Sequence, residues 1–492
     1  MKKTRSLLFA LSLLGLFYSC SDETVEAPDT NLKSTYAASD ASVTVQWNQE
    51  KQEIDGFGIA QAGWADQLYK HRKRSEIMGW LFGDQGLDLS ILRGEVFPHY
   101  STSRGHRDFA LNENIDISLD DPFFDPWSSE DMVRRGQLWI TREAKKTYGV
   151  DKLMFSTWSP PAYMKSNGSV SKGYLKLGEY QAFADYLADF VKAYESYGLP
   201  VYALSPANEP EYAAEWNSCV WFPGSTTLGP FIVKNLGPTF KNRGITSKII
   251  FGENAQWSTF ALIMGSLKYV NGVIDLNPSI TNLDVIASGH GYPNPITNER
   301  IPIVPYTKAE SKGMNVWLTE VSTIDNLDPS MQNGLNWAAD FHRYLSDANV
   351  SAIVWWAGAR PTTNNESLIV LDQDRTGYSF TKRFDTFGNF TKYIKPGSRR
   401  VTIDRGSQIP ADMHVSSYKK GNEYVVVAVN NTDQHVVSKL TINGTLGVKD
   451  MKRVLTDAEN RWAESVVAPE ANGDYMLDVP AKSVVTFTGS VK

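Results

Sequence analysis

The stretch YQAFADYLADFVKAYESYGLPVYALSPANEP, residues 180–210, holds a helix, a stop, a strand and a carboxylate in that order. Tyr180, Phe183, Leu187, Phe190, Val191 and Tyr194 recur at spacings of three and four, which places them on one helical face. Gly198-Leu199-Pro200 ends that helix, because glycine accepts the left-handed turn after a helix and proline cannot continue it. Val201–Pro206 then reads as a strand, and Asn208-Glu209-Pro210 follows it directly.

The same alternation extends in both directions. Eight strands are predicted, at Ile54–Ala60, Asp88–Arg93, Lys152–Thr157, Val201–Pro206, Lys248–Glu253, Asp284–Ser288, Asn315–Glu320 and Ala352–Trp356. Continuous apolar runs such as Ile353-Val354-Trp355-Trp356 suit parallel strands covered on both faces. Strands alternating with helices over roughly 300 residues predict an α/β fold, a (β/α)₈ TIM barrel spanning 54–396; a doubly wound open sheet is the competing architecture. The polar stretch from His99 to about Pro126 follows the second strand and would form a wall of a cleft at the catalytic face.

After Pro396-Gly397 the pattern changes to short alternating segments at His414–Tyr418, Tyr424–Val429, Val436–Ile442, Lys452–Thr456, Tyr475–Val479 and Ser483–Thr488. Turn residues such as Asn443-Gly444 separate them, which predicts an antiparallel β-sandwich over 397–492. Ser42–Trp47 alternates in the same way, so 42–53 is expected to pair with it. The appended sandwich would then be formed by both chain ends and be rigid with the barrel.

The chain begins with Lys2, Lys3 and Arg5, then a mostly apolar run from Leu7 to Tyr18, then Ser19-Cys20-Ser21-Asp22-Glu23. The run is too short to span a bilayer comfortably and reads as a signal peptide over 1–20. The position of Cys20 resembles a lipoprotein signal in which the cysteine becomes the lipidated first residue, with 21–41 as a flexible tether; an ordinary signal peptide is the alternative. The expected location is across the inner membrane, lipid-anchored at the outer membrane and facing the exterior, with the membrane touched only through the lipid.

With 49 Lys and Arg against 55 Asp and Glu, the net charge of -6 gives no electrostatic reason for a nucleic-acid partner. One cysteine besides Cys20, Cys219, leaves no intramolecular disulfide in the mature chain and excludes a two-cysteine zinc site. No His-Glu-x-x-His, Walker or dinucleotide-binding glycine pattern is present, so neither a metal nor a cofactor is expected, and a monomer is.

Two carboxylates stand where barrel enzymes keep their reacting groups, at the C-terminal ends of strands: Glu209 after the fourth and Glu320 at the end of the seventh. Glycoside cleavage needs one carboxyl group to protonate the departing oxygen and another to attack or to activate water. A lone glutamate at a strand end is more often a solvated or ion-paired group. Asn208-Glu209-Pro210 after an apolar strand is a more specific context, because Pro210 starts the next segment rigidly and Asn208 can hydrogen-bond a sugar 2-OH.

Ile54-Asp55-Gly56-Phe57-Gly58, Ser90-Ile91-Leu92-Arg93, Trp158-Ser159-Pro160-Pro161-Ala162-Tyr163-Met164-Lys165, Ala207-Asn208-Glu209-Pro210 and Trp317-Leu318-Thr319-Glu320 follow one another as in glycoside hydrolase family 30. The chain resembles that family from about Val43 onward. The resemblance implies a barrel with a side sandwich, hydrolysis of β-glycosidic bonds with retention, Glu209 as acid/base and Glu320 as nucleophile. It implies that Arg93 keeps the nucleophile ionised, and that Trp158, Tyr292 and one of Trp355 and Trp356 face the sugar, since alternation turns only one of that pair inward. His290 would line the mouth or simply pack.

Within the family the chain looks most similar to xylan-cleaving endo-enzymes, through Tyr163–Gly168, Glu215-Trp216 and Thr391–Gly397. Glucuronoxylanases hold a glucuronate branch with an Arg- and Tyr-containing loop after the eighth strand; here that loop reads Gly358–Glu366, with Arg360 but no tyrosine. The expected activity is endo-β-1,4-xylanase on a plant-type polysaccharide, with endo-β-1,6-glucanase or a glucosylceramidase-like β-glucosidase as alternatives. A surface glycan-binding lipoprotein without catalysis is the competing class, and it would have tolerated loss of either glutamate.

Overall fold

The computed structural model describes residues 41–109, 130–258 and 265–492. Cys20, the signal segment and residues 110–126 of the polar stretch lie outside the described residues. Residues Asp40–Lys492 form one compact unit. A first long strand, β1 (Ser42–Glu53), precedes eight parallel strands that close into a barrel. These are β2 (Gly56–Ala60), β3 (Ile91–Glu95), β4 (Lys152–Ser156), β5 (Val201–Ser205), β6 (Lys248–Phe251), β7 (Val285–His290), β8 (Asn315–Val321) and β9 (Ala352–Trp355).

The second predicted strand begins three residues late because Asp88 has φ 51, a left-handed conformation that cannot continue a strand. Alternation divides each barrel strand between two cores. Ile91, Met154, Ala203, Ile250, Trp317 and Val354 fill the barrel interior. Their outward neighbours pack under the helices: Phe155 of β4 meets Phe190 and Tyr194 of the helix Tyr180–Ser196, with ring centroids 5.0 and 4.9 Å apart. That is the helical face legible in the sequence.

Three short strands, β10 (Ala357–Arg360), β11 (Ser367–Leu371) and β12 (Tyr378–Phe380), form a small sheet after the last barrel strand. The segment read as a loop, Gly358–Glu366, is therefore a strand end and a crossover: β10 pairs parallel with β11.

The terminal strands β13 (Arg399–Arg405), β14 (Met413–Lys420), β15 (Glu423–Asn430), β16 (Val436–Asn443), β17 (Lys452–Thr456), β18 (Ala463–Val466), β19 (Tyr475–Val479) and β20 (Ser483–Ser490) join β1. Their order is β18-β17-β20-β15-β14-β13-β1-β16-β19. The sheet is antiparallel as expected except at one pair, where β1 runs parallel to β16, from Ser42↔Lys439 to Gln46↔Asn443. No hairpin fixes its direction, because β1 comes from the other end of the chain. Val43, Val415, Val426, Leu440, Leu477 and Phe487 share one core, so the sheet folds over on itself.

Sandwich and barrel meet along two helices. On Lys382–Thr391, Thr486 Oγ1 donates to the Asn389 carbonyl at 2.7 Å, and Trp462 Nε1 donates to the Asp385 carbonyl at 2.7 Å. On Met331–Ser346, His342 lies against His414 of β14, with ring centroids 5.1 Å apart. Burial, reinforced by His414, Arg405, Arg400 and Arg343, pushes the His342 imidazole down to about 3. His414 is also lowered, by burial and then by Arg343 and Arg405, with Asp412 opposing.

A folded-state pKa below the unfolded value means that the unfolded chain binds the extra proton. Stability is therefore expected to fall as pH drops from about 6.5 toward 3, by on the order of 2 kcal/mol at pH 5 from His342. In thermal unfolding at pH 7.5 and pH 5, His342→Gln should lose much less stability over that interval than the wild type. Equal losses in the two proteins would contradict the buried-neutral assignment.

Candidate active site

Arg93 stands on the inward face of β3, two residues after Ile91, and is fully buried at the mouth of the barrel. A buried guanidinium needs every fork of its donors filled. Nη1 pairs with Glu320 Oε2, Nη2 donates to Asn208 Oδ1 and lies 3.5 Å from Glu253 Oε1, and Nε donates to Ser156 Oγ at 3.3 Å. Its face covers Trp158 at 4.8 Å and Trp356 at 5.8 Å. Five strand ends are thereby tied to one cation.

Glu320 owes its direction to an irregularity in β8. Gly289 pairs with Leu318 but His290 with Glu320, and on the other side Leu318 pairs with Ile353 but Val321 with Trp355. The strand thus carries one extra residue between Leu318 and Val321 relative to both neighbours. With Trp317 pointing into the barrel, strict alternation would turn Glu320 outward; the bulge returns it to the mouth. Burial raises the Glu320 carboxyl above its ordinary range, and the charges of His290 and Arg93 oppose that rise. Tyr292, whose hydroxyl burial keeps from ionising, donates to Glu320 Oε1 at 2.7 Å.

Glu209 follows β5 in the left-handed conformation, φ 43, as does Glu253 after β6, φ 52. Such a conformation costs a non-glycine residue on the order of 1 kcal/mol, and here it aims two carboxylates inward. The backbones are locked together, Glu209 N–H donating to the Glu253 carbonyl at 3.0 Å. Gly252 precedes with φ +110, and a Cβ there would stand 2.1 Å from the Ser288 carbonyl oxygen, so no other residue fits.

His290 sits among the three carboxylates, its Nδ1 3.4 Å from Glu209 Oε1 and 3.8 Å from Glu320 Oε1, its Nε2 3.8 Å from Glu253 Oε1. Burial disfavours charge on the ring, but the attraction of Glu320, then of Glu209 and Glu253, outweighs it and holds the imidazole at about 10. Glu253 shows the converse. Burial works to raise it, but Arg93 and His290 bring it down to about 2. One atom each of Glu209, His290 and Glu320 all lie within 4.8 Å of one another. These are ligand types for a cation, but the site's positive charge comes from the imidazolium and the guanidinium.

One flank is aromatic. Trp356 packs edge-on against Trp64 at 4.3 Å and lies 5.9 Å from Trp158. The expectation for the adjacent tryptophans resolves to Trp356. Trp355 is a correction, since alternation turns it toward the helix Met331–Ser346, where it meets Trp337 at 4.8 Å and donates Nε1 to the Glu366 carbonyl. Arg360 lies over Trp64 at 5.0 Å with Glu366 Oε2 3.6 Å from its Nη1.

Glu253, Glu95, Ser156 and Trp64 were not foreseen. Glu253 ends the fifth predicted strand as Glu320 ends the seventh, a signal present in the sequence but left unused. Glu95 lies two residues beyond Arg93 on the same side of β3, buried, its carboxyl lifted to about 8 by burial against the opposing influence of Asn217 and Arg93.

The profile of O-glycosyl hydrolase family 30 matches residues 120–370. A glucuronoxylanase of Bacillus subtilis (strain 168) is 26% identical over 461 residues, covering 92% of this chain and 92% of that protein. The catalytic domain of a family 30 xylanase C from Talaromyces cellulolyticus superposes with a TM-score of 0.73 at 22% identity, over 92% of this chain and 100% of that one. The endo-β-1,6-glucanase BT3312 does so with a TM-score of 0.70 at 16% identity, over 91% and 94%. The profile match spans just over half of the chain, and this protein belongs to O-glycosyl hydrolase family 30.

Proposed function

We propose that this glycoside hydrolase is an endo-β-1,4-xylanase in which Glu320 is the nucleophile and Glu209 the acid/base, and that it does not depend on a glucuronate branch. The observation that supports the retaining chemistry is that one oxygen of Glu209 and one of Glu320 lie within 4.8 Å of each other. Retaining enzymes keep their carboxyl groups about 5–5.5 Å apart, while inverting ones leave about 6.5–9.5 Å for a water.

The exposures divide the work. The Glu209 side chain is 14% exposed and Glu320 only 4%, so the group that exchanges protons with leaving group and water is the more open one. Glu209 protonates the glycosidic oxygen while Glu320 attacks the anomeric carbon, and Glu209 then takes a proton from the water that releases the sugar. Arg93 and Tyr292 hold the two Glu320 oxygens in place. Asn208 gives its carbonyl oxygen to Arg93, which leaves its amide N–H groups for the 2-OH of the bound sugar.

Xylan is favoured by the 26% identity to a glucuronoxylanase over nearly the whole of both chains. Independence from glucuronate rests on Arg360, whose charge is answered by Glu366 and whose face is taken by Trp64. A branch carboxylate would have to displace Glu366 to reach it. We further propose that lipidation at Cys20 displays the enzyme at the outer membrane; Cys20→Ala should move it from the membrane to the soluble fraction, and unchanged partitioning would refute the anchor.

Glu320→Gln should abolish turnover with the fold intact, because an amide cannot form the glycosyl ester. Glu209→Ala should keep more activity on aryl glycosides with good leaving groups and be accelerated by azide. NMR of the first-formed anomer should show retention; inversion, or an active Glu320→Gln enzyme, would overturn the roles.

Wild type should cut plain and glucuronate-decorated xylan with similar kcat/KM, and Arg360→Ala should change both alike. A loss confined to the decorated polymer would restore the branch-binding reading. Products from β-1,6-glucan with none from any xylan would replace the substrate and leave the two-carboxylate chemistry standing.

A further inference from the structure

Two loops at the C-terminal ends of β4 and β5 are stitched into one tongue. The first, 165–175, closes as a hairpin through the Lys165↔Leu175 bridge, and Ser171 bridges Asn217 of the second. Ser218 N–H donates to the Val170 carbonyl at 3.0 Å, Val220 N–H to the Gly173 carbonyl at 2.8 Å, and Lys172 N–H to Ser218 Oγ at 2.8 Å. Buried Lys165 ties the base together, with Nζ donating to Ser159 Oγ at 3.0 Å and to the Ser218 carbonyl. The second loop returns to its own start, where Trp221 N–H donates to the Pro210 carbonyl at 2.8 Å.

Trp216, in this cross-linked frame, is 61% exposed. The frame fixes the backbone that carries this indole and leaves most of the ring open to solvent. Its neighbour Asn217 stands near enough to Glu95, two residues beyond Arg93, to lower that carboxyl, so the tongue reaches back from Glu209 to the mouth of the barrel. The loop begins immediately after Glu209. The tryptophans already packed at the site, Trp64, Trp158 and Trp356, belong to another wall, with Arg93 over two of them.

We infer that Trp216 is a sugar platform on the leaving-group side of the cleft, stacking on a β-linked pyranose of the departing chain. The inference rests on the assignment of Glu209 as acid/base, because the group that protonates the glycosidic oxygen stands between the bound sugar and the leaving sugar. An indole presents a flat apolar face to the C–H face of a pyranose, and a rigid loop holds it there without an ordering cost on binding. A platform for the departing chain favours cleavage within a polymer over removal of single terminal sugars.

The test compares Trp216→Ala and Trp216→Phe with wild type on two substrates. Xylohexaose reaches past the cleavage point with sugars, and an aryl β-xylobioside has only a small aglycone there. Trp216→Ala should lower kcat/KM on xylohexaose roughly three- to tenfold, mainly through KM, with the aryl glycoside changed by no more than about twofold and the Phe variant intermediate. An equal loss on both substrates, or no loss on either, would overturn the platform. If wild type cuts only β-1,6-gluco-oligosaccharides, the xylan reading fails. The same comparison with a gluco-oligosaccharide and its aryl β-glucoside then still decides the role of Trp216.

Discussion

A cation buried at the centre of the barrel mouth organises the site. The Arg93 guanidinium has no solvent to share its charge, and an unanswered buried charge would cost several kcal/mol. Glu320 and Glu253 answer it, Asn208 and Ser156 fill the remaining donors, and Trp158 and Trp356 cover its face. The partners come from five different strand ends, so the site is complete only when the barrel is closed. His290 adds a second positive centre among Glu209, Glu253 and Glu320, which lets three carboxylates converge without mutual repulsion dominating.

Glu253 gives this arrangement its stability. It is fully buried, and the two cations with Ser156 hold it ionised. It therefore supplies a negative charge that faces both Arg93 and His290. A nucleophile must lose its negative charge when the ester forms, and the surrounding cations must then find another partner. Glu253 is placed to be that partner for both. The left-handed backbone at Glu253 and Glu209, with the hydrogen bond between them, carries the geometric cost of holding both side chains at the rim.

Much of this was legible in the sequence because barrel strands are read from continuous apolar runs and their C-terminal ends locate chemistry. Glu209, Glu320, Arg93, Asn208, Tyr292, Trp158 and Trp356 converge where strand order and strand ends placed them. What remained hidden depends on register. The bulge that turns Glu320 inward changes pairing with both neighbours, and nothing in Trp317-Leu318-Thr319-Glu320 announces it. The parallel pairing of β1 with β16 is invisible for the same reason, since periodicity gives a strand's faces but not its neighbour's direction. Trp355 and Trp356 form the intermediate case, where alternation allowed one inward ring and only the strand's actual phase chose it.

The Arg360 segment shows how strand pairing sets the surroundings of one side chain. Because Ala357–Arg360 is a strand paired with Ser367–Leu371, the connection between them is short and Glu366 returns beside Arg360. The guanidinium then spends its charge inside the loop and its face on Trp64, which in turn packs on Trp356 above Arg93. The chain of contacts from Arg360 to Arg93 is aromatic, and it leaves no free cation on this flank. Recognition of a charged branch on this flank would require Glu366 to be absent or turned away, because it already answers the Arg360 guanidinium.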